Sequence, residues 1–221
     1  MKKIFNKVQL IVIILLIVVG IGIILAPWFS AWRFDIAQRR IMALWYDGAE
    51  NAAAGGSWTQ STAVIGGTDN NNEILEEDVN PNIDVQYLAG RVEGIITIER
   101  INLRAPILNE YSEANLNISI CSVIPGNRMG EPGNYVLAGH ESRIFGRHFN
   151  RLHELEVGDV IIVENRYEQF TYTVFEVFTV TPQDVWVMDN DGERKLITLI
   201  TCDSRTVPMG RLIVKGELYN G

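Results

Sequence analysis

Three side chains in the C-terminal part of the sequence have the chemistry needed for acyl transfer. Cys202 follows the β-branched run 195–201, His140 follows the apolar run 134–138, and Arg211 begins the next apolar run along the chain. A thiolate attacks carbonyl carbon, an imidazole moves protons, and a guanidinium stabilises the thiolate or the oxyanion that forms on attack. Together they predict a nucleophile, a base and an oxyanion donor.

Each of these residues also has an ordinary structural interpretation. A lone histidine at a strand end is more often a hydrogen-bonded structural residue, a strand cysteine is often a buried thiol, and an arginine is often a solvated charge. Under that interpretation the chain is a membrane-tethered β-barrel that binds cell-wall polymer or a partner protein without catalysis. It requires three independent coincidences, so catalysis is the preferred hypothesis.

The other two histidines and the second cysteine are not assigned to the site. His148 and His153 lie among charged and polar residues and are predicted to be solvated surface residues. Cys121 ends an apolar segment, where a free thiol packs as a small hydrophobic group. A disulfide with Cys202 is conceivable outside the cell, but it would consume the nucleophile. Two free thiols are therefore predicted.

The nucleophile and the arginine fall on the two arms of a predicted hairpin. Residues 195–201 and 211–219 are rich in strand-forming residues, and the polar connection 203–210 is flanked by Cys202 and Arg211. Antiparallel pairing then sets Cys202 opposite Arg211. Because side chains alternate along a strand, Arg211 is expected on the accessible face of its strand.

The period of two along the first arm puts Thr198, Ile200 and Cys202 on one face. This face offers a hydroxyl, an apolar wall and the nucleophile in line. His140 is preceded by the small residues 138–139, which are expected to leave space for a substrate backbone.

The elements that must position these residues are mostly strands. Many short apolar runs separated by Gly, Pro and Asn turns indicate an all-β fold, either a barrel or a sandwich. Residues 169–180 change phase at Phe175, as a bulged strand does, and residues 145–155 are expected to hold a short helix. The predicted strands are 94–98, 134–138, 159–163, 169–180, 195–201 and 211–219.

The N-terminal part predicts a membrane anchor and a spacer. Three lysines precede an apolar run that is long enough to span a bilayer, with aromatic residues after it. The preferred assignment is a cytoplasmic tail (1–7), a transmembrane signal anchor (8–29), a juxtamembrane helix with a flexible linker (30–84) and an extracellular catalytic domain (85–221). A cleaved signal peptide is the alternative for the apolar run. The juxtamembrane helix is expected either on the membrane surface or as a continuation of the anchor.

Charge limits the class of partner. The chain carries a formal net charge of −8. Nucleic-acid binding needs a basic surface to neutralise phosphates, so no nucleic-acid partner is expected.

These residues carry a family resemblance. The strand end at residues 198–203, the Ala138-Gly139-His140 strand end about sixty residues upstream, and the arginine that opens the next strand resemble the signature of sortases, the cysteine transpeptidases of Gram-positive surfaces. Residues 181–189 are similar to a segment that precedes the catalytic strand in class A sortases. The resemblance covers residues 92–218, and the order His, Cys, Arg is far more specific than any single motif.

The resemblance implies an eight-stranded β-barrel with short helices that recognises an LPxTG-like sorting signal. Cys202 would attack the threonine carbonyl, His140 would transfer protons, and Arg211 would hold the oxyanion or position the carbonyl. Partners would be secreted surface proteins with C-terminal sorting signals, a peptidoglycan-precursor amine as the acceptor, and the membrane. The positions that match the substrate groove of class A are Ala138, Val185, Val187, Thr198 and Ile200.

The chain departs from some class A members at their calcium-binding positions. Residues 122–130 contain no carboxylate before Glu131, and Asn190 follows Asp189. A hard cation needs several carboxylate oxygens, so no cofactor and no calcium dependence are expected. The loop between Cys202 and Arg211 is shorter than in the best-known class A enzymes, which leaves class A and class D both open. A hydrolytic cysteine peptidase is a further alternative.

Overall fold

Eight strands form a closed barrel in the order β1-β2-β3-β4-β7-β8-β6-β5. The computed structural model describes residues 15–17, 19–22, 35–48, 88–142, 147–190 and 192–219. The strands are β1 (Val92–Ile98), β2 (Leu103–Leu108), β3 (Ile120–Ser122), β4 (Gly133–Ala138), β5 (Val160–Glu164), β6 (Gln169–Val180), β7 (Lys195–Asp203) and β8 (Gly210–Leu218). Residues 15–17, 19–22 and 88–89 are helical, and the further helices are α1 (35–48), α2 (Glu113–Leu116) and the 3-10 turns at Glu99–Ile101, Leu152–Glu154 and Val185–Met188.

Alternation along the strands fills the barrel. Tyr135 and Leu137 of β4, with Ile197 and Leu199 of β7, belong to the main apolar cluster inside the barrel. The intervening residues of these two strands therefore lie on its outer face, where Ala138 and Ile200 are partly exposed. The residues that could do chemistry continue this outer set.

The all-β, eight-stranded prediction is confirmed, and each of the six predicted strands is present within one or two residues of its expected bounds. The predicted phase change in β6 is also confirmed, since its pairing with β8 shifts register between Val174 and Glu176. β2 and β3 were not predicted. β2 contains Pro106, which weakens a strand pattern, and β3 is only three residues long.

A second apolar cluster lies on the outer face of the barrel, beneath α1. Ile41 and Trp45 are each 1% exposed and pack with residues of β1, β2 and β3. Trp45 Nε1 donates to Val92 O at 3.1 Å. The compact unit that contains the barrel begins at Gln38. The expected domain start at residue 85 leaves this packed helix out, because the helix was expected on the membrane surface or as a continuation of the anchor.

Most of the predicted transmembrane segment and linker lies outside the described residues. The described parts of the predicted transmembrane segment, residues 15–17 and 19–22, are helical. Within the described ranges, no helix combines the length and the apolar character needed to cross a membrane. Residues 145–146 of the expected short helix also lie outside the described residues, and the end of that segment forms the 3-10 turn Leu152–Glu154.

Candidate active site

Parallel pairing of β4 with β7 brings the histidine to the cysteine. Ala138 pairs with Ile200, and the ladder continues as Gly139 N donates to Ile200 O at 3.1 Å. His140 and Cys202 each follow this pair by two residues, so they lie side by side on the outer face, on strands about 4.8 Å apart. The parallel crossover joins residues that are sixty-two positions apart in the chain.

Antiparallel pairing of β7 with β8 brings the arginine to the same place. Cys202 pairs directly with Arg211, as the hairpin prediction requires. Side chains of a directly opposed pair project from the same face of a sheet. Arg211 is partly exposed, and its Nη1 donates to Gly210 O at 3.2 Å. The accessible-face prediction for Arg211 is therefore confirmed.

The three side chains open into one cleft of about 470 Å³. Its walls come from the ends of β4, β7 and β8, from the turn Val185–Met188, from Tyr111 before α2, and from Leu116, the last residue of α2. The lining is mostly apolar around a few polar groups, which suits an extended peptide. Four of the five predicted substrate-binding residues line it: Ala138, Val185, Val187 and Ile200.

Thr198, the fifth, does not line the cleft. Its side chain is fully buried, and its hydroxyl donates to Asn134 Oδ1 at 2.8 Å. Asn134 Nδ2 in turn donates to Val187 O at 3.3 Å. Thr198 shares the face of Cys202 as predicted, but it is buried there, and its hydroxyl supports the turn Val185–Met188 through Asn134.

Gly139 does not leave space for a substrate backbone, contrary to the expectation. A Cβ on Gly139 would lie 2.8 Å from Phe149 Cδ2, so the Phe149 ring occupies that space. Phe149 N also donates to His140 O at 3.0 Å. The glycine therefore allows the segment after His140 to fold back against the strand end.

Asn117 is a site residue for which the sequence carries no signal. His140 Nε2 lies 3.0 Å from Asn117 Oδ1. Asn117 ends α2, whose first turn is capped by the Ser112 side chain accepting from Asn115 N at 3.1 Å. Nothing in the local sequence distinguishes this asparagine from an ordinary helix-end residue, because its partner is twenty-three positions away.

His148 is buried, so its prediction as a solvated residue was wrong. It is 6% exposed, has a backbone φ of 50°, and its ring centroid lies 6.0 Å from that of His140. Burial, assisted by the neighbouring charges of Arg147 and His140, lowers the pKa of His148 to about 3. The second histidine beside His140 is therefore neutral. His153 is exposed, as predicted.

The acidic residue that follows the cysteine is used in the loop. Asp203 is buried, Arg205 Nε donates to its Oδ1 at 2.8 Å, and Thr179 Oγ1 donates to its Oδ2 at 2.9 Å. The hydrogen bond from Arg205 holds the pKa of Asp203 below its usual range. Asp203 therefore holds the loop between β7 and β8 and is not available as a base. Cys121 and Cys202 are both free thiols, as predicted.

In this barrel a cysteine at the end of β7 lies beside a histidine that follows β4 and opposite an arginine of β8, and all three line one cleft. This arrangement defines a cysteine-dependent acyl-transfer enzyme. The family profile described as "Sortase domain" matches residues 96–219. The chain belongs to the sortase family and is a cysteine transpeptidase.

Individual relatives agree with this assignment. The sequence is 29% identical to sortase A of Bacillus anthracis over 96% of this chain and 95% of that protein. It is 32% identical to sortase A of Listeria monocytogenes over 60% of this chain and 59% of that protein.

Solved structures show the same barrel. The structure of Listeria monocytogenes sortase A matches with a TM-score of 0.55 and 32% identity, covering 59% of this chain and 88% of that one. A Clostridium perfringens sortase D5 transpeptidase matches with a TM-score of 0.54 and 29% identity, covering 58% and 79%. A class A-like or class D assignment fits these relatives.

Proposed function

We propose that this sortase is a membrane-anchored transpeptidase that cleaves an LPxTG-like sorting signal between Thr and Gly and joins the carboxyl side to a cell-wall amine. The observation that carries the proposal is the convergence of Cys202, His140 and Arg211 on one cleft. The alternatives of a binding protein and of a hydrolytic peptidase remain as outcomes of the test below.

In the first half-reaction, the Cys202 thiolate attacks the threonine carbonyl carbon. The carbonyl oxygen becomes an oxyanion, which the Arg211 guanidinium stabilises by charge and hydrogen bonding. The C–N bond then breaks, and His140 gives its proton to the departing glycine amine. The product is a thioester between the substrate and Cys202.

In the second half-reaction, His140 removes a proton from the incoming amine as it attacks the thioester carbon. The C–S bond breaks, an amide forms, and Cys202 is regenerated as thiolate. The same histidine thus acts as acid and then as base. Asp203 takes no part in this exchange, because Arg205 and Thr179 occupy its oxygens.

The outer-face cleft supports an extended apolar signal. Ala138 and Ile200 line it from the strands that carry the reacting groups, and Val185 and Val187 line it from the 3-10 turn Val185–Met188. An extended peptide can align with such a groove and present its carbonyl to Cys202. The amine acceptor, a peptidoglycan precursor, would approach Cys202 from the solvent side of the cleft.

Mass spectrometry of a signal peptide incubated with the enzyme, with and without triglycine, tests the proposal. A ligated product that appears only with triglycine supports transpeptidation. Hydrolysis alone, unaffected by the amine, would indicate a peptidase, and unchanged peptide would indicate a binding protein. Fractionation of cells, with protease protection of the C-terminal domain, tests the predicted extracellular orientation.

A further inference from the structure

The tautomer of His140 depends on the position of Asn117. The Asn117 side-chain oxygen, 3.0 Å from His140 Nε2, can only accept a hydrogen bond. Nε2 therefore carries a proton, and Nδ1 is the ring nitrogen that remains to exchange protons with Cys202 and with the amines. Displacement of Asn117 would release Nε2 and allow both neutral tautomers.

The Asn117 side chain is exposed, so its direction depends on how firmly its backbone is held. Two side chains from distant parts of the chain bind the backbone of Asn117 and of the next residue, Ile118. Arg147 Nη2 donates to Asn117 O at 3.2 Å, and Gln38 Nε2 donates to Ile118 O. Gln38 and Arg147 are each 5% exposed, so water does not compete freely for these bonds.

Gln38 is the unusual member of the buried face of α1. Ile41 and Trp45, with the partly buried Met42, supply the apolar packing of that face. A buried amide adds nothing to such packing and is costly unless its groups are bonded. The Gln38 groups both face the segment after Asn117, since Oε1 also lies 3.4 Å from Ser119 Oγ.

The packing beneath α1 continues to the cleft. Leu116, the residue before Asn117, belongs to the apolar cluster under α1 and also lines the cleft. Ala138 packs against the same cluster and is the cleft residue two positions before His140. A change in how α1 holds residues 118–119 therefore reaches the histidine through contacting residues.

We propose that Gln38 is a positioning residue of the active site, which holds residues 118–119 so that Asn117 keeps His140 in the Nε2–H tautomer. The proposal rests on the proposed role of His140 in proton transfer. It places part of the catalytic arrangement in a helix that is a hundred residues upstream of the histidine.

The test compares full-length Gln38→Met with the parent protein. Methionine has nearly the same volume and forms neither hydrogen bond. The chain has three histidines, so ¹⁵N-histidine labelling gives three ring spin systems, assigned with His148→Gln and His153→Gln. We expect the His140 nitrogen shifts to move from an Nε2–H pattern toward a tautomer mixture. We expect kcat to fall about tenfold with KM unchanged.

Val163→Ala is the matched control, because Val163 is fully buried in the main apolar cluster inside the barrel, apart from the cluster beneath α1. It should lower Tm but leave the His140 shifts and kcat at the parent values. Parent-like shifts and kcat in Gln38→Met would overturn the proposal, and so would equal changes in Val163→Ala. The nitrogen shifts need no substrate, so they test the positioning role even if the parent protein proves not to ligate peptides.

Discussion

At the scale of single residues, Arg211 tests whether geometry or charge stabilises the oxyanion. Arginine offers a planar fork of donors, whereas lysine supplies the same charge as one flexible donor. We expect Arg211→Lys to retain a measurable minority of the parent rate. Arg211→Ala should lose on the order of 10²–10³ in rate, as for other lost oxyanion donors. Both should stay folded, because the side chain is partly exposed on the outer face.

Steady-state transpeptidation by the two variants, with circular dichroism as the folding control, measures this difference. A folded Arg211→Ala protein with the parent rate would remove Arg211 from the mechanism.

Cys202 and His140 are expected to rank above every other residue in their effect on rate. Cys202→Ala should form no thioester, since no other group in the cleft can replace the thiol. His140→Ala should be nearly as severe, because the thiol loses its proton partner and the leaving amine loses its acid. His153→Ala, which changes an exposed side chain, is the matched control. Single-turnover acyl-enzyme formation measures all three, and equal turnover in the two histidine variants would contradict the assignment of the base.

Neutral His148 makes the stability of the fold depend on pH. Burial lowers its pKa to about 3 in the folded protein from the ordinary histidine value of 6.5. Between those values the unfolded chain binds a proton that the folded chain does not, so stability falls as pH drops from about 6.5 toward 3. At about pH 5 this contribution reaches about 2 kcal/mol relative to neutral pH.

Urea denaturation of the parent and His148→Gln proteins across this window measures the effect. The free energy of unfolding should decline less steeply with acid in His148→Gln. Parallel pH profiles for the two proteins would show that His148 titrates normally in the fold.

At the scale of elements, the prediction that the enzyme does not depend on calcium concerns the loop between β3 and β4. Its carboxylate, Glu131, lies 4.0 Å from Arg128, a cation of the same loop. In the described part of the chain, no group of three or more His, Cys, Asp and Glu side chains could hold a metal ion. We expect equal transpeptidation rates in calcium chloride and in EDTA, and a rate that rises severalfold with calcium would contradict this.

The local sequence pattern was sufficient to predict strands and their pairing where the strands are long and adjacent in sequence. The hairpin of β7 and β8 has strong strand composition on both arms, and its short connection determined the Cys202–Arg211 pair. The bulge in β6 followed from a change of phase within one strand. β2 and β3 were not predicted, because β2 contains a proline and β3 has only three residues. Both strands form through pairing with neighbouring strands.

At the scale of the whole molecule, the parts of the site that sequence did not predict all depend on distant segments. Thr198 is buried and bonded to Asn134, sixty-four positions earlier in the chain, and the Asn117–His140 contact spans twenty-three positions. His148 has polar neighbours in sequence, but it is buried beside His140 by the chain folding back after Gly139. Residue type and spacing identified the reacting groups, whereas their supporting contacts required the three-dimensional arrangement.

The extent of the folding unit gives the last prediction. A chain that begins at residue 85 lacks α1 and would expose Leu88, Val92, Leu108 and Leu116, which pack beneath that helix. Trp45 and Ile41 are both almost fully buried, and burial of such side chains stabilises by about 1.5–3 kcal/mol each. We therefore expect a chain beginning at residue 34 to be a few kcal/mol more stable toward urea than one beginning at 85, and the shorter chain to aggregate more readily. Trp45→Ala in the longer chain should reproduce part of the loss. Equal stability and equal transpeptidation rate in the two chains would show that the barrel folds and works without α1, which is what a catalytic domain beginning at residue 85 implies.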